Sequence, residues 1–381
     1  MKFIHTADWH LGKLVHGVYM TEDQKQVIKE LIDILIEEQP DALVIAGDLY
    51  DRSVPPTDAV NLLNDTLHTI NVDMNIPIVA ISGNHDSSER LSFGASWYRK
   101  SNLYMTGKWL PNQQPVEIKG VRFHPVPFSD PGPIREVLQQ KDLTSHHDAM
   151  KAVVEKIVEK MDLSVPNVFV GHAFVLGGST SDSERTLSVG GSGCVGGELF
   201  LPFTYTALGH LHSPDAIKHD TIHYSGSLMK YSFSEAKQRK IVKVVEINEE
   251  GAVTVTEKPL KAERDMREIK GYLQELMDEE FYRTQKRDDF LKITLLDDGA
   301  LIDPMNQLRQ IYPNVLHLER KLALRDQSKR TTASLDAREG KTDIDLFKEF
   351  YDQVTTSDWS LQKENKLTTV LQHVRNKEDQ S

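Results

Sequence analysis

The chain has almost no cysteine. Its 381 residues include only Cys194, which excludes an internal disulfide framework and fits a reducing, cytoplasmic compartment. It also has no apolar run near the ~18 residues that a membrane span requires, and its first residues, "MKFIHTADWH", show no cleavable leader pattern. Low-complexity tracts are missing, and a content of 39% hydrophobic and 27% charged residues is ordinary for a folded soluble protein. There is no excess of positive charge. The formal net charge of −12 argues mildly against a protein that coats nucleic acid through a global positive field. It does not exclude nucleic acid, because bound divalent cations invert the local sign at a carboxylate-rich site. A phosphate-binding P-loop is absent as well. The glycine-rich "LGGSTSDSERTLSVGGSGCVGG" lacks the Gly-Lys-Ser/Thr that would follow, and no helix opens behind it; it reads as a loop at a cleft rim, with Arg185 its one candidate for touching DNA.

What is present is an alternation of strand-like and helical stretches over the first 240 or so residues. "KFIHTAD", "DALVIAGD", "IPIVAISGNHD", "NVFVGH" and "TYTALGHLH" read as buried strands. "TEDQKQVIKELIDILIEEQ" reads as a helix, with Thr21 and Gln24 placed as a capping box and Val27, Ile28, Leu31, Ile32 and Leu35 on one face. A second helix follows Pro56 and a third lies around 146–161. "TIHYSGS", "KIVKVVEIN" and "AVTVTEKPL" add further strands, the last two a hairpin across "EEG". Helices interleaved with buried strands, then consecutive strands, predict an α/β sheet with antiparallel additions. From about 264 a β-α-β-α-β pattern restarts. The expected division is a first domain over 1–260, a small second domain over 261–324, a polar linker over 325–341 and a helical tail over 342–381. In that tail Leu346, Phe347, Phe350, Tyr351 and Val354 share a face that must be covered by this chain or by a partner.

The chemistry lies at the strand ends. The five strands finish in "ADWH" (Asp8, His10), "AGDLYD" (Asp48), "SGNHD" (Asn84, His85), "GHAF" (His172) and "GHLH" (His210, His212). Carboxyl ends of strands in open α/β sheets converge on the ligand crevice. Singly, each has an ordinary reading: an Asp after a strand caps the next helix, and a histidine is a satisfied structural residue. Five in register, with no strand of the set lacking a ligand, are poorly explained by caps. The set of Asp8, His10, Asp48, Asn84, His172, His210 and His212 mixes oxygen and nitrogen without thiolate, which suits Mn, Fe or Zn. Seven ligands exceed one ion's needs, so two ions about 3.5–4 Å apart are expected, with Asp48 as the bridge. Such a pair clamps a phosphate and stabilises in-line displacement at phosphorus. His85, beside Asn84 but diverging from it, is assigned to the phosphate or leaving oxygen as stabiliser or general acid. The basic stretches "KYSFSEAKQRK" and "ERKLALRDQSKR" could meet DNA phosphates, though charged runs are usually solvated faces. Cys194, His5, His16, His146, His147 and His223 lack ligand context.

These residues form the motif set D-x-H, G-D, G-N-H-[DE], G-H and G-H-x-H, and over about residues 1–240 the chain resembles the calcineurin-like metallophosphoesterases. "TADWHLGK", "AGDLYDRSVPP", "SGNHDSSERLSFG", "SDSER…SVGG…LF…YTALGHLH" and "YSGSLMKYSFSEA" are further similar to the SbcD nuclease subunits of bacterial SbcCD complexes, over nearly the whole chain. The resemblance implies a metallophosphoesterase sandwich of mixed β-sheets flanked by helices, with a small α+β capping domain and a helical C-terminal tail. It implies one Mn²⁺ on Asp8, His10, Asp48 and His212, another on Asp48, Asn84, His172 and His210, and His85 as catalytic. It also implies double-strand exonuclease and single-strand or hairpin endonuclease activity in DNA repair, recombination and replication. The partner would be an SbcC-type, SMC-like ATPase in an assembly built on a nuclease dimer. Asp51, where some relatives carry histidine, receives no catalytic role. "GDLYDRS" superficially resembles a serine/threonine phosphatase run, but those proteins end the third motif in Glu where this chain has Asp86. A non-catalytic scaffold is the other alternative, and all eight filled positions oppose it.

Overall fold

The computed structural model of the chain describes residues 1–184, 193–298, 300–321, 342–354 and 358–378. The chain divides into two compact units, Met1–Met266 and Arg267–Ser381.

In the first unit, β1 (Lys2–Thr6), β2 (Ala42–Ile45), β3 (Ile78–Ile81) and β4 (Leu103–Thr106) run parallel, joined by crossovers that include α1 (Thr21–Glu38) and α2 (Thr57–His68). A second sheet is built from β5 (Val116–Ile118), β6 (Val121–Val126), β7 (Asn167–His172), β8 (Tyr205–Gly209) and β9 (Ile222–Tyr224), in spatial order β9-β8-β7-β6-β5. All its pairings are parallel except β5 with β6. The first sheet is completed by β10 (Ile241–Ile247), antiparallel to β1, and β11 (Val253–Pro259), antiparallel to β10. The amino group of Met1 donates to the Ile247 carbonyl at 2.7 Å and extends the β1–β10 ladder.

The two sheets bury alternate side chains against each other, as the two-residue period of a strand dictates. Phe3, Val44, Ala46, Val79 and Ile81 from one sheet pack with Phe123, Val168, Val170, Tyr205 and Ala207 from the other. Phe3 sits edge-on to both Phe123 and Tyr205 at 5.4 and 5.6 Å. The opposite face of the second sheet presents Phe169, Leu208 and Tyr224 to Ala149, Ala152 and Val153 of α4 (His146–Val158), which follows α3 (Pro131–Leu138). This is a mixed α/β sandwich flanked by helices. Its parallel strands carry their C-terminal ends to one side of the molecule.

Two local expectations needed correction. Gln24 does not cap α1: the residue before the helix is Met20, with no side-chain cap. The Gln24 amide instead reaches 12 residues back to the Gly12 N–H and donates to the carbonyls of Trp9 and His10. The buried stripe of α1 takes in Ile34 while Ile32 is only half-buried, because the helix turns 100° per residue and the apolar arc is centred between Leu31 and Leu35.

In the second unit, a three-stranded sheet of Met266–Gly271 (β12), Phe290–Leu295 (β13) and Val315–Arg320 (β14) has β13 at its centre. Leu291, Ile293 and Leu295 pack with Leu273, Leu276, Leu308, Tyr312 and Val315, and the Tyr312 hydroxyl donates to the Leu276 carbonyl at 2.8 Å. Two further helices follow, α6 (Asp343–Val354) and α7 (Leu361–Glu378) after α5 (Pro304–Arg309). Trp359 touches the rings of Phe347 and Tyr351 between α6 and α7. No helix among the described residues is long and apolar enough to cross a membrane.

Candidate metal centre

The five strand ends named above meet at the C-terminal side of the sandwich. Asp8 and His10 follow β1 and are tied to the turn after β2, the N–H of Asp8 donating to Gly47 O (3.0 Å) and that of His10 to Asp48 O (2.9 Å). Asp8, His10, Asp48 and His210 all have left-handed φ, from 46° to 103°, a conformation that costs L-residues of order 1–3 kcal/mol each and persists only where the surroundings over-determine it. Gly83 after β3 makes the approach possible, since a Cβ there would run into the Asp48 carboxylate and backbone nitrogen.

The side chains converge. His10 Nε2 lies 3.0 Å from His212 Nε2. Asp48 stands between two histidines, Oδ2 being 3.6 Å from His10 Nε2 and 3.4 Å from His172 Nε2. Its Oδ1 accepts the His85 N–H at 2.8 Å. Asn84 Oδ1 sits 2.8 Å from His172 Nε2 and 3.0 Å from His210 Nδ1. The Asp8 carboxylate accepts the His210 N–H at 3.0 Å. Asp8 with His10 and His212, and Asp8 with Asp48 and His172, form two groups whose ligand atoms all lie within 4.8 Å of one another. All seven side chains assigned from the sequence lie in this one constellation, and six of them are buried. A third group joins His10, Asp51 and His85. There the Lys13 ammonium already holds Asp51 Oδ1 at 2.7 Å.

Electrostatics favour added cations. Burial, reinforced by Asp48, pushes the Asp8 carboxyl up to about 7. Burial works to lower His172, but the Asp48 carboxylate outweighs it and raises that ring to about 9. His210, 5.4 Å from His172, is driven down to about 3 by burial and by that charged neighbour. Two buried carboxylates held this close together are what divalent cations can neutralise. Among the described residues His10 Nδ1 is buried with no hydrogen-bond partner, Asp51 Oδ1 lying 3.7 Å away, and two Nε2 atoms 3.0 Å apart aim at common space. The nitrogen and oxygen donor set, free of thiolate, therefore fits divalent cations.

His85 is set apart by its second nitrogen. Its Nδ1–H donates to the Asp51 carbonyl at 2.7 Å, which leaves Nε2 for an external oxygen. Its ring lies 4.7 Å from that of His10.

Several residues to which the sequence reading gave no role at the centre shape it. Asp86 accepts the N–H groups of Leu49, Tyr50 and Gly83 at 2.9–3.1 Å, joining the turns after β2 and β3. Gln24 holds the turn carrying His10, and Tyr231 donates to Trp9 O at 2.5 Å. The stretch "KYSFSEAKQRK" is solvated only in part: Lys237 and Arg239 are exposed, while other cations are inward-facing and paired. Lys230 pairs with Asp265, Arg239 with Asp215 and Glu257, and Lys240 is buried against Glu235. A signal existed in Glu235 and Lys240, five apart and opposite in charge, but sequence does not reveal which charges are buried. Arg185 and residues 322–330 of the other basic stretch lie outside the described residues.

Residues 1–214 match the family model of the calcineurin-like phosphoesterases. Residues 262–355 match in part a second model, SbcD_C, described as a type 5 capsule protein repressor C-terminal domain. Among solved structures, the chain is similar to a dimetal phosphatase from Danio rerio at 10% identity, covering 69% of this chain and 97% of that one with a TM-score of 0.41. It is also similar to YfcE, a phosphoesterase from E. coli, at 12% identity, covering 68% and 100% with a TM-score of 0.27.

Proposed function

The chain belongs to the calcineurin-like phosphoesterases, and from that premise we propose that it is a nuclease that hydrolyses DNA phosphodiesters with two divalent metal ions, most suitably Mn²⁺. The observation that carries the reading is the placement of Asp48 between His10 and His172, with His85 anchored beside it. Asp8, His10, Asp48 and His212 would hold one ion, and Asp48, Asn84, His172 and His210 the other. When bound, the ions neutralise phosphate charge and make water a competent nucleophile near neutral pH.

The protein's own groups do the remainder. Asp48 fixes the separation of the two ligand groups, and its second oxygen, held by the His85 N–H, keeps the carboxylate from rotating. The Asp51 carbonyl accepts from Nδ1–H and orients the His85 ring; its imidazolium form would donate Nε2–H to the leaving oxygen and be left as the neutral ring with Nδ1–H still bound to Asp51. The second unit supports a nuclease of the SbcD kind, because the model matched by 262–355 bears that name. By that association the cognate partner is an SbcC-type ATPase, α6 and α7 are its docking segment, and a dimer is the working form on DNA ends and hairpins.

The test is turnover by the full chain with Mn²⁺ on bis-p-nitrophenyl phosphate, p-nitrophenyl phosphate, linear duplex DNA and hairpin DNA, each repeated with His85→Ala. Diester and DNA cleavage reduced about 10²–10⁴-fold in the variant, with Mn²⁺ still bound, is expected. Monoester turnover with intact DNA would replace the nuclease by a phosphatase.

A further inference from the structure

Beside the candidate metal centre lies a chain of polar groups, Glu235 and Lys240 buried and Ser183 half-buried, that the proposed reaction does not use. Ser183 Oγ is 2.7 Å from His212 Nδ1 and also touches Glu235 Oε1. Glu235 is fully buried, and its other oxygen lies 2.5 Å from the ammonium of Lys240, itself buried. The three N–H groups of Lys240 are shared among Glu235 and three further acceptors, the His212 carbonyl (2.9 Å), Ser227 Oγ (2.8 Å) and Gln238 Oε1 (3.0 Å). Ser183's neighbour Glu184 accepts the His212 N–H at 2.7 Å, and Asp182 N–H donates to Ser234 Oγ at 2.9 Å. The short segment 181–184 thus grips both the end of β8 and the turn at 232–235.

Proton counting fixes the direction of this chain. Glu235 is the carboxylate of a buried ion pair, its Oε2 lying 2.5 Å from the Lys240 ammonium while Oε1 accepts the Tyr231 N–H at 3.2 Å. An ionised carboxylate accepts only, so the single hydroxyl proton of Ser183 goes to Glu235. Ser183 Oγ must then accept from His212, and Nδ1 is the nitrogen that carries the hydrogen. His212 Nε2, 3.0 Å from His10 Nε2, is left with its lone pair directed into the centre. Burying an ion pair is costly and is weak evidence for stability. Its placement against a candidate ligand gives it a use.

We propose that Lys240, Glu235 and Ser183 are positioning residues that lock His212 in the Nδ1–H tautomer and so preset Nε2 as a metal donor. The inference rests on reading the site as a metal centre and deepens that reading. Hydrogen-bonded partners of this kind govern both tautomer and ligand basicity, and their loss typically weakens metal binding about 10–100-fold.

The experiment uses the metal-free full chain labelled with ¹⁵N-histidine. Long-range ¹H–¹⁵N correlation reads each ring's tautomer, and His212→Gln identifies the His212 signal among the fifteen histidines. The wild type should show His212 as Nδ1–H. Ser183→Ala should mix the tautomers and weaken Mn²⁺ binding, measured by calorimetry, by about tenfold or more; Ser183→Thr, which keeps the hydroxyl, should restore both. Glu235→Gln should act in the same direction, but it leaves the buried Lys240 uncompensated, so a variant that fails to fold leaves the decision to the Ser183 pair. An unchanged His212 tautomer in Ser183→Ala, or an Nε2–H tautomer in the wild type, overturns the proposal. A wild type with the expected tautomer that takes up no Mn²⁺ refutes the metal centre, and the role assigned here with it, while a bound ion without DNA cleavage refutes only the nuclease.

Discussion

Acid should destabilise this protein partly through one histidine far from any phosphate. His5 lies in the middle of β1, fully buried between the sheets, with Nδ1 3.0 Å from the Tyr205 hydroxyl and Nε2 3.2 Å from the Leu208 carbonyl. Burial first, and then the nearby charge of Lys243, holds it well below its ordinary value of 6.5. The unfolded chain therefore takes up a proton below about pH 6.5 that the folded chain refuses, so the stability this group contributes is complete above that pH and is lost as pH falls toward the folded value. Between pH 7.5 and 5 the loss amounts to about 2 kcal/mol, with a limiting slope of about 1.4 kcal/mol per pH unit. Other groups titrate in the same window. Asp8 and Asp86, both pushed up to about 7 by burial, pull the opposite way. The quantity to measure is therefore a difference: urea unfolding of wild type and His5→Gln at pH 7.5, 6.5, 5.5 and 5. Fluorescence of the buried Trp9 and Trp109 reports the first unit if Trp359 is replaced by Phe in both proteins. The wild type should lose about 2 kcal/mol more than His5→Gln over this range. Parallel pH curves would show that His5 is not held neutral and would refute the reasoning.

Gly83→Ala should place its methyl on the Asp48 carboxylate, lowering stability by about 1–3 kcal/mol and reducing Mn²⁺ uptake. Normal calorimetric affinity in this variant would mean that the turn can shift away. Mn²⁺ at a hundred times its dissociation constant should stabilise the wild type by about 2.7 kcal/mol, seen as a raised melting temperature that EDTA reverses, and Asp48→Asn should lose most of that gain. In the second unit, Tyr312→Phe removes the hydroxyl bonded to Leu276 O and should cost about 1 kcal/mol. Hydrogen exchange should localise the effect to residues 267–321 and leave β1–β11 unchanged.

The candidate ligands were legible because each is a local pattern. An apolar run followed at once by Asp, Asn or His reports a strand end, and parallel strands align such ends without further information. Asp8, Asp48 and His172 could be read in this way although they lie up to 164 positions apart. Partners that meet only through the fold could not. Gln24 matched a capping-box spacing, yet its amide serves the backbone around His10, since tertiary hydrogen bonds outcompete a solvent-exposed cap. Glu235 and Lys240 sit in a run of charge indistinguishable by composition from a hydrated surface. Only coordinates reveal that one pair in that run is buried while Arg239 stays exposed. The apolar runs of β7 and β8 signalled burial but not which sheet lay opposite. The partner faces of Phe3, Phe123 and Tyr205 came from the structure alone.

The pairing of β1 with β10 also bears on how the chain is made. Residues 2–5 take their antiparallel neighbours from residues 243–246, so one edge of β1 stays bare while some 240 further residues are synthesised. At about 5–20 residues per second that interval is on the order of 10–50 s. Throughout it an apolar strand exposes unpaired backbone groups, the condition under which nascent chains pair with the wrong neighbour. The centre itself cannot close before His212 emerges. Premature arrest anywhere short of β10 would therefore leave a fragment with a bare strand edge and an incomplete centre.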